Sequence, residues 1–464
     1  MTVVFLAVVA LSLAVALFSR RGHRHQKAAD FFVASGQFGS VLFFFLAVGE
    51  TYSVATILGF PGGIYAHGTG FVTWFLGYIL LAFPVGYFLN PLIWRAGRRH
   101  GAVTLPDLFA RHFDSRMLEL VVAAASILFL VPLGVMQVVG LDTVLAGLGW
   151  PVPPLLLSGF AGCLVFAYIA ISGIRAPAYV AVLKDLLVLA AILLTGLAAL
   201  LAMGPLPGAS AGAPRGILPP APGSWRGDLF SISTILLQCL GFSLAPQTCA
   251  YQFTARSASA IRRAQIAMPL YMAMFPFLLA IAMLVLRQGI VPGTPDEVFL
   301  AGARALLPGW AVGMAMAAAA LSALVVLSGI CLALGPLVTR NLVPGLDGDG
   351  QRRWSKLVMA LYLVLSVAGA ARSHALMVAI NNLYYFGITQ TLPGIVAILF
   401  LRRVRAGAIA LGLIAGDAVS LLLHVFALPV AGINPGFVGL LVNAAFVAVV
   451  TRVRPARRPI LPAS

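Results

Sequence analysis

Two ionisable residues, Glu50 and Lys184, lie inside apolar stretches that are long enough to cross a membrane. A charge in hydrocarbon is costly, so an ionisable residue at such a depth is a candidate for function. Counted from the basic ends of their stretches, Glu50, Lys184 and Cys331 all lie roughly 13 to 15 Å from the same membrane face. The sequence therefore predicts that a carboxylate, an ammonium and a thiol meet inside the membrane.

The composition excludes a soluble globular protein, because 61% of the 464 residues are hydrophobic and only 9% are charged. The mean hydropathy is +1.02. We expect one all-α polytopic transmembrane domain over residues 1–464, with about thirteen membrane-spanning helices. The predicted spans are 3–18, 41–65, 71–94, 118–148, 154–172, 178–203, 229–254, 267–286, 310–338, 357–371, 375–401, 408–426 and 437–450.

The positions of the Lys and Arg residues predict the orientation, because short cytoplasmic loops hold the positive charge. The basic clusters at 20–27, 95–116, 175, 256–263, 340–356, 402–405 and 452–458 fall on one face when the N-terminus is outside and the C-terminus is cytoplasmic. We expect a multi-pass protein of the inner (plasma) membrane. Anionic headgroups account for the formal charge of +17, so no nucleic-acid partner is expected.

Two spans contain helix-breaking residues at mid-depth, at 59–63 and at 241–246. Free backbone at that depth is tolerated where it lines an enclosed cavity. The breaks are five spans apart and enter from opposite faces, which favours an inverted repeat over 39–203 and 229–401, with peripheral helices at 1–19 and 406–452. That arrangement is typical of secondary transporters; two kinked structural helices are the alternative.

Several segments together resemble the sodium:solute symporter family, and within it the bacterial monocarboxylate and acetate permeases. They are DFFVASGQFG (30–39), GETYSVATILGFPGGIYAHG (49–68), TLPDLFARHFDSR (104–116), VMQVVGLD (135–142) with Gln137, GIRAPAYVAVLKD (173–185), ARSASAIRRAQIAMPLY (255–271), LVTRNL (337–342) and FGITQTLPG (386–394). The resemblance covers nearly the whole chain. It implies the five-plus-five inverted-repeat fold of the leucine transporter and cation-driven symport, plausibly of a monocarboxylate.

In this family a sodium ion sits between carbonyls of the first broken helix and hydroxyls of the eighth core helix, which map to Gly49, Tyr52 and Ser328. The usual adjacent hydroxyl pair is missing here, and Cys331 is a poor ligand for a hard cation. An ammonium from Lys184 could take the place of sodium, with Glu50 offsetting its charge and proton binding coupled to transport. A purely structural pair and the absence of mutual contact remain alternatives, as do Na⁺ and H⁺ as coupling ion. Asp185 is about 100° round the helix from Lys184 and is expected to point elsewhere.

The solute is expected to bind beside the breaks, where helix ends offer free N–H groups and carbonyls. The candidate contacts are Thr51, Thr56, Gly59, Gln137, Gln238, Ser243, Gln247, Tyr251, Asn382 and Tyr385. The preferred function is an importing symporter without an organic cofactor, and an oligomer is possible. A non-transporting membrane sensor is the rival, and an enzyme is not expected, because no catalytic or metal motif is present.

Overall fold

The computed structural model describes residues 1–19, 28–203, 225–373, 375–401, 403–428, 430–454 and 456. Within them, regular structure is helical apart from one isolated bridge between Phe38 and Ala255. Ten helical stretches of the described chain are long and apolar enough to cross a membrane, and three shorter apolar helices occupy the remaining predicted spans. The predicted all-α polytopic architecture is confirmed.

Twenty α-helices make up the described chain. They are α1 (Thr2–Phe18), α2 (Ala28–Val33), α3 (Ser40–Thr51), α4 (Phe60–His67), α5 (Gly70–His100), α6 (Leu105–Phe113), α7 (Arg116–Gly147), α8 (Pro154–Ser172), α9 (Arg175–Met203), α10 (Trp225–Phe242), α11 (Pro246–Thr254), α12 (Ala258–Ala267), α13 (Phe275–Arg287), α14 (Val298–Leu306), α15 (Gly309–Pro336), α16 (Gly348–Ala370), α17 (Met377–Ile388), α18 (Leu392–Phe400), α19 (Ala406–Val425) and α20 (Pro435–Val453). Short π-helical segments cover Ala55–Gly59 and Leu337–Leu342, and 3₁₀ segments cover Ala34–Gly36, Met268–Met274, Pro295–Glu297 and Thr389–Thr391.

The first helix interruption lies earlier than the sequence predicted. Helix α3 ends at Thr51, and Tyr52 leaves the helical region with φ −101° and ψ 60°. The predicted break at 59–63 is wrong, because these residues belong to a π-turn and to α4. Pro61 stands in the first turn of α4, where its missing N–H costs nothing. Gly62 permits a close approach instead, since a Cβ there would lie 2.6 Å from the Pro295 carbonyl oxygen.

The second interruption is where the sequence predicted it. Helix α10 ends at Phe242 and α11 begins at Pro246, so the chain leaves the helix between them. Both interruptions face α15, an alanine-rich helix that is buried along its central window. Small residues on α15 let neighbouring helices approach closely. At Gly329, a Cβ would overlap the Tyr251 hydroxyl of α11.

The loops with the basic clusters form what we call the basic face, and the loops at the other helix ends form the opposite face. On the basic face, Thr104 caps α6 in a reciprocal arrangement with Asp107. The Asp107 carboxylate accepts one bifurcated hydrogen bond from Arg340 Nε, at 3.0 Å to Oδ1 and 2.8 Å to Oδ2, and another from Asn341 Nδ2 at 2.8 Å. These contacts join α6 to the π-helical segment Leu337–Leu342, which follows α15. The predicted basic residues at 20–27, 402, 457 and 458 lie outside the described residues.

A second group of hydrogen bonds on the basic face joins α2 and the segment after it to the start of α9. Arg175 Nη2 donates to Asp30 Oδ1 at 2.7 Å and to Gln37 Oε1 at 3.0 Å. Beside it, Phe38 N donates to Thr254 O at 2.9 Å, which joins the segment before α3 to the end of α11. The segment before α3 is therefore joined to both α9 and α11.

Candidate functional site

Lys184 lies against the end of α3. Its side chain is fully buried, and its Nζ donates a hydrogen bond to the Tyr52 carbonyl oxygen at 3.2 Å. A Cβ on Gly49 would lie 3.3 Å from the same Nζ, so a glycine leaves room for the ammonium. That carbonyl is free of the helix because the chain leaves the helical region at Tyr52. Three of the predicted ion-coupling residues, Gly49, Tyr52 and Lys184, are therefore in contact.

The carboxylate beside Lys184 is Asp185, which corrects the expectation that this residue points elsewhere. Its Oδ1 lies 2.5 Å from Lys184 Nζ, and both side chains are fully buried. The lysine side chain is long enough to bend back across the 100° that separates neighbouring residues on a helix. The contact is an ion pair without hydrogen-bond geometry, and neither Asp185 oxygen has a hydrogen-bond partner among the described residues.

Three further residues were predicted to take part in ion coupling: Glu50, Ser328 and Cys331. The side chain of Glu50 lies outside the described part of the chain, so its pairing with Lys184 stays a prediction. The Ser328 hydroxyl donates to the Leu324 carbonyl at 2.7 Å within α15. Cys331 is fully buried, and no hydrogen bond within the described chain joins its thiol to Lys184. The Tyr52 carbonyl, which the family pattern assigns to sodium, accepts a hydrogen bond from the Lys184 ammonium in this structure.

A separate enclosed cavity lies beside the first interruption. Its lining contains hydroxyl, amide and apolar side chains and no charged one: Thr51, Ser53, Ala55, Thr56, Tyr78, Leu133, Met136, Gln137, Phe242, Val326, Asn381, Tyr384 and Tyr385. The cavity measures about 30 Å³, enough for about two water molecules. Of the predicted solute contacts, Thr51, Thr56, Gln137 and Tyr385 line it.

Gln137 is the lining residue whose side chain most clearly lacks hydrogen-bond partners. Its side chain is fully buried, yet neither its Nε2 nor its Oε1 has a hydrogen-bond partner within the described chain. The Oγ1 of Thr51 is in the same condition. A buried polar group without a partner costs about 1–3 kcal/mol. Both groups lie at the cavity, where a solute or ordered water would supply the missing hydrogen bonds.

The remaining predicted solute contacts do not line the cavity. Gln238 Nε2 donates to Asn382 Oδ1 at 3.2 Å, and Asn434 Nδ2 donates to the same oxygen at 3.1 Å, so these amides join α10, α17 and the start of α20. Gln247 Nε2 donates to the Tyr384 hydroxyl at 2.8 Å and supports the lining from behind. The others, Gly59, Ser243 and Tyr251, contact neighbouring helices.

Sequence reasoning missed Ser53, Tyr78 and Tyr384 as lining residues. Ser53 directly follows Tyr52, and it would have been found had the interruption been placed at Tyr52. Tyr384 neighbours Tyr385 on α17, so one turn of that helix supplies both rings. No pattern in the sequence distinguishes Tyr78 from other aromatic residues on α5 that pack in the interior.

On the opposite face, the segment Pro295–Glu297 covers α4 and the start of α17. Asp296 is 5% exposed, and its Oδ2 accepts a hydrogen bond from the Met377 backbone N–H at 3.2 Å. Its Oδ1 has no partner among the described residues. Burial raises the pKa of this carboxyl to about 6, although the bond from Met377 opposes the change. We call this contact, together with the packing of Pro295 on Gly62, the Asp296 clasp.

Comparison with known proteins agrees with the family resemblance of the sequence. The model of the sodium:solute symporter family matches residues 31–416. A protein described as a monocarboxylate transport permease from Rhizobium johnstonii is 26% identical over 450 residues, covering 91% of this chain and 90% of the relative. The uncharacterized symporter YhjB of Bacillus subtilis is 26% identical over 437 residues, covering 89% of this chain and 86% of the relative.

A solved structure of a Na⁺-coupled sialic acid symporter, in a substrate-bound outward-open state, superposes with a TM-score of 0.77 at 16% identity. The superposition covers 98% of both chains. At this identity the likeness concerns the fold alone. It establishes the leucine-transporter-type core that the resemblance implied, in which both interrupted helices belong to the core.

Proposed function

Because the chain belongs to the sodium:solute symporter family, whose members couple solute movement to a cation, we propose that it imports a short carboxylate across the plasma membrane by alternating access. The observation that carries the proposal is that one helix interruption, at Tyr52, borders both a buried ion pair and an enclosed uncharged cavity. In this proposal, residues 39–203 and 229–401 are the two inverted halves, and the basic face is cytoplasmic.

Lys184 takes the place of the coupling sodium, and a proton is the coupling ion. In the charged state the ammonium is balanced by Asp185 and bonded to the Tyr52 carbonyl. When Lys184 releases its proton, the carboxylate loses its counter-ion and the Tyr52 carbonyl loses its charged donor, since a neutral amine donates a weaker hydrogen bond. Both losses favour a rearrangement of the end of α3. Because that end also borders the cavity, protonation and solute binding act on the same piece of backbone.

Sodium coupling is the second candidate, and the family favours it. It requires the Lys184 ammonium to withdraw so that oxygens of Gly49, Tyr52 and Ser328 can surround the ion. Uptake into proteoliposomes separates the two. We expect uptake to follow an imposed proton gradient without sodium, and Lys184→Ala to abolish its pH dependence. A strict sodium requirement together with a normal pH response in this variant would contradict the proposal.

Lys184→Arg is the matched control. It keeps a positive charge beside Asp185 but cannot release a proton at physiological pH. We expect this variant to fold and to bind solute while losing gradient-driven accumulation. Accumulation at the wild-type level would show that proton release from residue 184 is unnecessary.

For the solute, the cavity offers the Thr51 hydroxyl and the Gln137 amide as donors to a carboxylate, with Leu133, Met136 and Phe242 beside a short alkyl group. Side chains must move to admit even a small acid, because the cavity measures only about 30 Å³. The similarity to a monocarboxylate transport permease supports the same class of solute.

Counterflow in proteoliposomes loaded with acetate, propionate, lactate or alanine tests both the solute class and the transport activity. We expect protein-dependent exchange of acetate, propionate and lactate, and little exchange of alanine. A sensor that binds solute without moving it would give no exchange with any of the four. Exchange of alanine alone would contradict the proposal that the solute is a short monocarboxylate without an amino group.

A further inference from the structure

A large apolar groove opens between α18 and α20, away from both sites described above. Nine of its eleven lining residues are apolar, and the full lining is Leu392, Pro393, Val396, Leu401, Leu440, Leu441, Ala444, Val447, Ala448, Thr451 and Arg452. Its volume is about 490 Å³, more than ten times that of the central cavity. Volumes of this size are typical of ligand sites.

Two of the hydrogen bonds that hold α20 lie on either side of the part of the helix that lines the basic end of the groove. Near the middle of α20, Asn443 Nδ2 donates to the Gln390 carbonyl at 2.7 Å. Beyond its end, the Ala456 N–H donates to the Arg403 carbonyl at 2.9 Å. Residues 444–452 lie between these ties, and roughly 12 Å of helix therefore stands beside α18 with the groove between them.

The groove ends at the basic face. Arg452 lines this end, and the backbone bond between Ala456 and Arg403 brings the loop with Arg403 beside it. No carboxylate of the described chain pairs with Arg452, Arg454 or Arg403, and the lining contains no acidic residue. Basic pockets between membrane helices at this level bind anionic lipid headgroups.

Thr451 provides an independent indication. Its Oγ1 is buried at the basic end of the groove and has no hydrogen-bond partner among the described residues. A buried hydroxyl in hydrocarbon without a partner is unfavourable, and the ester or phosphate oxygens of a lipid are acceptors at this depth. The groove thus combines an apolar trough, an unpaired cation and a hydroxyl that lacks a partner.

We infer that this groove binds an anionic phospholipid, with an acyl chain along Val396, Leu441 and Val447 and the phosphate beside Arg452 and Thr451. Charge complementarity selects this occupant over a second copy of the chain, because the basic end of the groove would face equally basic loops in a symmetric dimer. The site is separate from the transport pathway, so the inference stands whether or not the proposed solute is correct.

Native mass spectrometry of the delipidated protein tests the inference, with palmitoyl-oleoyl phosphatidylglycerol and the matching phosphatidylcholine as probes. We expect the wild-type protein to retain phosphatidylglycerol preferentially. Arg452→Gln should weaken its binding about five-fold, since one arginine at the membrane surface contributes about 1 kcal/mol. Arg353→Gln on the same face, outside the groove, is the matched control and should leave binding unchanged.

Ala448→Phe tests the trough without changing the charge. The larger side chain should fill the groove and reduce binding of both lipids, with no effect on the preference for phosphatidylglycerol in what remains. Equal retention of phosphatidylglycerol by wild type and Arg452→Gln would overturn the headgroup assignment. Unchanged binding in Ala448→Phe would overturn the placement in the groove, and a dimer that dissociates in both variants would identify a second copy as the occupant.

Discussion

The Lys184–Asp185 pair and the central cavity share one helix interruption but differ in charge: the pair holds two opposite charges that balance each other, and the cavity is lined by neutral groups. At the pair, the ammonium has a carboxylate 2.5 Å away and a carbonyl at 3.2 Å. At the cavity, the Gln137 amide and the Thr51 hydroxyl have no partner within the described chain. The two charges of the first region balance each other, although neither Asp185 oxygen has a hydrogen-bond partner within the described chain, whereas the second region has neutral groups whose missing partners we propose a solute supplies. In the proposed function, that difference separates the coupling site from the solute site.

The largest effect is expected when one member of the Lys184–Asp185 pair is replaced. In Lys184→Met, the Asp185 carboxylate remains buried without a counter-ion, and we expect a loss of about 3–5 kcal/mol in the free energy of unfolding together with the loss of transport. Thermal melting and proteoliposome uptake measure the two effects. The expected order of stability is wild type above Lys184→Met, whatever the solute.

The double variant Lys184→Met/Asp185→Asn is the control. With both charges removed it should regain most of the lost stability, because apolar or neutral replacements of a buried pair are often tolerated. Transport should not return. If the double variant were as unstable as the single one, Lys184 would be needed for packing and not for charge balance.

The opposite behaviour is expected at the cavity. Gln137→Met keeps the volume but removes two polar atoms that lack partners, so the free energy of unfolding should stay the same or rise by up to about 1 kcal/mol. The KM for the solute should rise about ten-fold, since a lost hydrogen bond contributes about 1.5 kcal/mol. Melting curves and initial rates of uptake check the two outcomes.

Gln252→Met is the matched control for that experiment. Gln252 is as buried as Gln137, but its Nε2 donates to Asn90 at 3.0 Å and to the Ser243 carbonyl at 3.1 Å. Its replacement should lower stability by about 1–3 kcal/mol because it leaves those acceptors unpaired. A loss of stability at Gln137 as large as that at Gln252 would indicate that Gln137 is already satisfied and that the cavity is not a binding site.

The sequence predicted the spans and the meeting of Lys184 with α3, because both follow from apolar length and depth along a helix. It did not predict where the first helix stops. Glycine and proline at 59–63 indicated a break, but Gly62 serves a contact with Pro295, more than two hundred residues away along the chain. Contacts between distant segments leave no local signal. A different reason explains why Asp185 is predicted to point away from Lys184: the positions of the two residues around the helix give no account of where a long side chain bends.

The smallest expected effect concerns the Asp296 carboxyl, which lies outside both the Lys184–Asp185 pair and the central cavity. Measuring this effect separates the pH dependence of Asp296 from that of the pair. Burial raises the pKa of Asp296 to about 6, so the closed clasp binds a proton more tightly than an open one does. The stability that this proton contributes is fully present below about pH 4 and is lost as the pH rises through 6. His112 on α6 acts in the other direction: burial lowers its pKa to about 4, and its contribution is lost as the pH falls.

Asp296→Asn isolates the first of these contributions. The wild-type protein should lose about 1 kcal/mol of stability relative to this variant between pH 5 and pH 7, because only the wild type carries the titrating group. Melting at the two pH values measures the difference, from which the His112 contribution cancels. Uptake by Asp296→Asn should still follow the proton gradient through Lys184, since the clasp covers the opposite face and does not touch the pair. If the variant lost its response to the gradient while keeping its solute affinity, the Asp296 clasp and not the Lys184–Asp185 pair would be the proton-sensitive element, and the division between a coupling site and a solute site would have to be redrawn.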